Sequence, residues 1–117
     1  VYIDPVLTIG FSAFILWGAL RNMREVLNIF MQGVPAHINS EEVRETMQSV
    51  EGVLHIHDMH IWSLDGETDV LSAHVVVRDD LMNNTEHILR EIKAQLRYHH
   101  IEHSTLEIEP EGFCAGD

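Results

Sequence analysis

The sequence predicts an α+β domain of ferredoxin-like αββαβ order, with two helices on a three-stranded sheet, preceded by one long transmembrane helix. Two observations carry that prediction. The first thirty-three residues are apolar and free of net charge, whereas the whole net charge of −12 falls in residues 34–117. From residue 36 onward, apolar spacing switches in turn between the helical period and the alternation of strands.

The opening helix is bounded by Asp4-Pro5, which reads as an N-cap followed by the helical position where proline is tolerated, and by Gly33 with Pro35 beyond. Residues 5–32 at 1.5 Å each span roughly 42 Å, more than the ~30 Å hydrocarbon core of a bilayer. Val6 to Leu20 is uncharged and apolar nearly all round. After it, Met23, Val26, Leu27, Phe30 and Met31 fall on one face, with Arg21, Arg24, Glu25 and Asn28 on the other. This pattern predicts a membrane-embedded half and an amphipathic half in water. The competing reading is a buried core helix, because a fifteen-residue uncharged run is short for a span. Trp17 followed by Arg21 and Arg24 favours a membrane–water boundary, with the following residues on the cytoplasmic side.

Asn39 or Ser40 is placed to cap a helix that buries Val43, Met47 and Val50 and ends by Gly52. A strand from about Val53 to Leu64, a turn at Asp65-Gly66 and a strand from about Asp69 to Arg78 form a hairpin. Asn83 with Glu86 reads as a capping box opening a helix that buries Ile88, Leu89, Ile92 and Leu96. A last strand, about Ser104 to Glu109, ends at Pro110. The chain divides accordingly into residues 1–33 and a domain of residues 34–117.

Composition excludes several functions. Seven Lys and Arg against nineteen Asp and Glu leave no basic surface for a nucleic-acid backbone, so no nucleic-acid partner is expected. A single cysteine forbids an internal disulfide or a paired-thiolate zinc knuckle. Nine histidines are left to carry ligand chemistry. The chain starts on Val1 without a basic n-region, and we read it as an internal cut of a longer protein.

On the last strand His103, Thr105, Glu107 and Glu109 alternate away from Leu106 and Ile108; on the middle strand His74 lies opposite the buried set; on the first, His55 and His57 share a face. Imidazole nitrogen and carboxylate oxygen suit Zn²⁺ and neighbouring divalent metals. His57, His74, His103 and Glu109 would supply a tetrahedral set of three nitrogens and one oxygen, although scattered histidines are more often ordinary surface groups. His60 has the opposite parity to His57 and reads as a partly buried histidine bonded to backbone. His87, in the first turn of its helix, is a candidate to reach the sheet edge, and His99 and His100 read as helix C-terminal groups. Cys114 offers a thiolate from the tail.

Five stretches in order carry a resemblance: Asp4-Pro5 opening an apolar helix, residues 28–35 (NIFMQGVP), residues 52–64 (GVLHIHDMHIWSL), residues 71–75 (LSAHV) and residues 103–109 (HSTLEIE). The sequence resembles the cation diffusion facilitator family, zinc transporters of the CzcD-like branch, essentially end to end. The resemblance implies that residues 1–33 are the last transmembrane helix and residues 34–117 the cytoplasmic domain of a homodimeric, proton-coupled exporter of Zn²⁺, and often of Co²⁺, Cd²⁺ or Fe²⁺. It implies metal ligands at His57, His74, His103 and Glu109, with His87, Glu107 and Cys114 as further candidates; Glu107 stands where many members carry Gln. The transport residues would lie on helices this chain lacks, so its own role would be to bind Zn²⁺, dimerise and regulate. The alternative is a membrane-anchored metal chaperone or buffer. A zinc enzyme is disfavoured, since so small a domain offers room for neither a general base nor a substrate pocket.

Overall fold

The computed structural model describes residues 1–113 of the chain. Its elements run α1 (Ile3–Phe30), α2 (Ser40–Gln48), β1 (Val53–Ser63), β2 (Asp69–Val77), a 3₁₀ turn over Asp79–Asn84, α3 (Thr85–Tyr98) and β3 (Ile101–Pro110). The sheet order is β1-β2-β3, with β1 and β2 antiparallel and β2 and β3 parallel. The parallel pair needs a crossover, and α3 supplies it.

Helices α2 and α3 pack on β1 and β3 and on each other. Val43 and Met47 of α2, and Ile88, Ile92 and Leu96 of α3, meet Ile56, Ile61, Leu71, Ala73, Val75 and Val77 in one core. Alternation along β2 buries Leu71, Ala73, Val75 and Val77 under the helices, which turns Ser72 and His74 to the opposite face.

Helix α1 carries no buried residue. Among the described residues it is the one helix long and apolar enough to cross a membrane. Its N-cap is Tyr2 without a side-chain cap; Asp4 lies inside the first turn, where its charge still favours the helix dipole. Asn39 caps α2 as expected, its Oδ1 accepting from the backbone N–H of Glu41 and Glu42. The capping box expected at Asn83 and Glu86 does not form. The 3₁₀ turn occupies Asp79–Asn84, α3 starts at Thr85, and the Glu86 carboxylate accepts from Arg90 one turn on. The last strand begins three residues earlier than expected, at the buried Ile101, because its pairing with β2 extends to Asp69.

Two glycines meet backbone requirements. Gly52, at φ +94°, turns the chain into β1, and Gly66, at φ +92°, completes the hairpin turn in which Asp65 Oδ1 accepts from the backbone N–H of Glu67 and Thr68.

Candidate metal centre

His57 and His74 are direct partners across the antiparallel pair, so both imidazoles stand on the sheet face away from the helices. Their ring centroids are 5.1 Å apart. β3 lies beside β2 with His74 opposite Glu107 and Val76 opposite Glu109. Glu109 therefore reaches diagonally between the two histidines. Its Oε2 accepts from His57 Nε2 at 2.8 Å and its Oε1 from His74 Nδ1 at 2.6 Å.

The carboxylate is 7% exposed, and the two imidazoles are 25% and 30% exposed. A buried carboxylate with two imidazole partners is the kind of charged group that burial otherwise disfavours. The hydrogen bond from His57 holds the Glu109 carboxyl below its ordinary value, aided by that from His74 and opposed by desolvation. The hydrogen bond to Glu109 raises His74, against desolvation.

One nitrogen from each histidine and one oxygen of Glu109 lie within 4.8 Å of one another. Zinc-bound N and O atoms sit about 2.0–2.2 Å from the ion, so three such ligands around one ion are separated by roughly 3–3.5 Å. The trio fits that requirement in both donor type and spacing, with a fourth position left for another ligand. The second nitrogen of His74 faces Glu107 Oε2 at 3.6 Å and Asp58 Oδ2 at 3.8 Å. Carboxylates behind a ligating histidine orient the ring and raise its basicity.

The register also separates residues that alternation grouped. His103 is exposed and sits opposite Val70, four residues along β2 from His74, or about 13 Å at strand rise. The expected set of three histidines and Glu109 therefore does not converge within the chain. His87 is exposed on the helical side, in a cleft of about 400 Å³ with Glu51, Leu81 and Glu91, and does not join the trio. Glu107 borders it. Cys114 lies outside the described residues.

His60 differs from its expected burial. A register shift between His57 and His60 inserts a bulge, with Asp58 at φ +50°, and this restores His60 to the same face as His57. It is exposed, with Nε2 3.0 Å from Asp58 Oδ1. Asp58 was thus missed as a site residue; an Asp between histidines, able to adopt a left-handed backbone, is the only signal the sequence carries for it. His55 stacks on His57, centroids 5.9 Å apart.

Residues 35–111 match the family described as cation efflux protein, cytoplasmic domain. The chain belongs to the cation efflux, or cation diffusion facilitator, family. It is 34% identical over 109 residues to a cadmium, cobalt and zinc/H(+)-K(+) antiporter of Bacillus subtilis, covering 92% of this chain and 35% of that protein. To the proton-coupled zinc antiporter SLC30A8 of Xenopus laevis it is 32% identical over 108 residues, covering 92% and 28%. The chain thus spans about a third of the length of these relatives.

Among solved structures, the metal-bound C-terminal domain of the CzcD transporter from Cuprividus metallidurans superposes with a TM-score of 0.56 at 33% identity, over 62% of this chain and 99% of that one. The zinc form of the putative zinc transporter CzrB gives 0.60 at 25% identity, over 73% and 98%. The ferredoxin-like unit of this cation efflux protein is its cytoplasmic domain, and α1, which precedes it, is long and apolar enough to cross a membrane.

Proposed function

We propose that the chain is the C-terminal part of a proton-coupled divalent-cation efflux transporter, and that its cytoplasmic domain is a Zn²⁺ sensor which dimerises and regulates transport. The observation that carries this reading is the convergence of His57, His74 and Glu109 on one sheet face. In it, residues 1–33 serve as the last transmembrane helix and residues 34–117 as the sensor. Relatives named as zinc and cadmium, cobalt and zinc antiporters support zinc as the ion, with other divalent transition metals as competitors.

Zn²⁺ replaces the protons now shared between the carboxylate and the imidazoles. The −12 charge, concentrated in this domain, opposes association of two copies, and bound cations relieve that repulsion. The fourth coordination position and the exposed carboxylates Glu107 and Asp58 are available to a second ion or a second copy. Metal shifts the association equilibrium only as far as it binds the associated form more tightly. No catalytic role is assigned, in keeping with transporter relatives.

The test is a calorimetric Zn²⁺ titration of the chain in detergent at pH 7, with sedimentation read at each stoichiometric point and His57→Ala/His74→Ala alongside. Binding of at least one ion per chain with a metal-dependent change in association, both lost in the variant, is the expected result. Binding without any change in association would replace the sensor by a metal buffer or chaperone. Absence of binding would overturn both.

A further inference from the structure

Asp69, the first residue of β2, is a carboxylate that the transport reading does not use. Its side chain is 2% exposed, and its Oδ1 has no hydrogen-bond partner among the described residues. Its Oδ2 accepts from His37 Nε2 at 2.6 Å. His37 belongs to the segment between α1 and α2, and its side chain is 59% exposed. A buried carboxylate served by one partner is costly without it, because removal of that partner leaves an uncompensated charge.

The same segment is fastened to α1 at its other end. Gly33 N–H donates to Asn28 O at 2.9 Å and Asn28 Nδ2 donates to Val34 O at 3.4 Å. A Cβ at Gly33 would collide with the Asn28 side chain and turn it away from Val34. Between the two attachments Pro35 is buried and its carbonyl accepts from Ile38 N–H at 3.0 Å. At the hairpin turn, Ile29 of α1 comes near Gly66, its Cδ1 3.5 Å from where a Cβ on that glycine would stand. A cleft of about 620 Å³ remains there, lined by Arg21, Arg24, Glu25 and His37 among others.

We propose that the His37–Asp69 pair is a latch that pins the connecting segment to the end of β2 and thereby sets the angle between α1 and the metal-bearing sheet. β2 carries His74 five residues beyond Asp69, so one strand bears both the latch and the metal centre. Displacement of β2 at the centre is passed to α1 through the latch. This coupling rests on the sensor reading above; the latch itself does not.

The experiment uses the chain in phospholipid nanodiscs in a Cys114→Ser background. Spin labels go on cysteines introduced by Asn22→Cys in α1 and Lys93→Cys in α3, and labelled chains are diluted into unlabelled ones. The unsubstituted pair is expected to give one narrow distance peak. His37→Ala and Asp69→Asn each lose it, and the double variant is no broader than either single one, as expected for two groups acting only through each other.

Retention of the narrow peak in both single variants, or additive broadening in the double variant, would overturn the latch. If Asp69→Asn fails to fold, judged by loss of its thermal transition, the exposed His37→Ala decides alone. Zn²⁺ added to the same samples is expected to shift the peak in the unsubstituted chain and not in His37→Ala, with calorimetric zinc binding equal in both. Zinc bound without a shift would overturn the coupling role. Zinc not bound at all would sink the sensor reading and leave the latch to stand or fall on the distances without metal.

Discussion

Glu109 Oε1 lies 2.6 Å from His74 Nδ1 while its other oxygen lies 2.8 Å from His57 Nε2, so one nearly buried carboxylate of β3 joins side chains of β1 and β2. All three strands of the sheet meet at this point, on the face the helices leave open. The centre is therefore a property of the whole sheet rather than of any one strand.

Glu109→Gln keeps the shape of the side chain and removes its charge. Outer-shell partners of metal sites already cost 10–100-fold in affinity when lost, so removal of this central carboxylate is expected to weaken Zn²⁺ binding by about 100-fold or more. Glu107→Ala, at the exposed border of the trio, is expected to cost about tenfold. Competition of both variants against a chelating dye ranks them; equal losses would mean that Glu107 ligates as directly as Glu109.

Protonation acts on the centre with a definite sign. His74 is raised above its ordinary 6.5, chiefly by its hydrogen bond with Glu109, so its contribution to folding is complete below pH 6.5 and is lost as pH rises through the raised value. Glu109 is lowered below its ordinary 4.5, chiefly by its hydrogen bond with His57, so its contribution is present above pH 4.5 and is lost as pH falls through the lowered value. The metal-free domain thus has both contributions between pH 4.5 and 6.5.

Zn²⁺ binding runs the other way, because imidazole must shed its proton to ligate. Affinity is expected to fall steeply as pH drops through the raised value of His74, and His74→Gln removes part of that slope. A series of thermal melts with and without Zn²⁺ from pH 4 to 8 reads both effects.

Gly52→Ala is expected to destabilise the domain by about 1–3 kcal/mol, since a non-glycine residue must then hold a left-handed backbone. The added Cβ also meets Leu81 Cδ1 at 2.5 Å. Urea unfolding of this variant against Gly10→Ala, which has open space around it, isolates the effect.

Leu96 is fully buried between α3 and the sheet. Leu96→Ala is expected to cost about 2–5 kcal/mol. Zn²⁺ affinity of the fraction still folded should be unchanged, because the core and the candidate metal centre lie on opposite faces of the sheet. The midpoint of chemical denaturation and a parallel titration check the two halves of this statement.

The order of elements, the apolar reach of α1, the cap at Asn39 and the buried set of β2 were legible in the residues themselves, because each depends on local spacing and backbone chemistry. Alternation likewise turned His57, His74 and Glu109 toward one face. It could not separate Glu109 from His103, since both share the parity of β3. Six residues of strand, about 20 Å, stand between them, and the parallel register, with Val76 opposite Glu109 and Val70 opposite His103, decides which of the two lies beside His74. The bulge at Asp58 returned His60 to the face of His57 and His74, and the contact of His37 with Asp69 joins residues thirty-two apart. Periodicity reports which way a side chain points; only the closed sheet brings distant side chains within bonding distance, because that closeness arises from the pairing of whole strands.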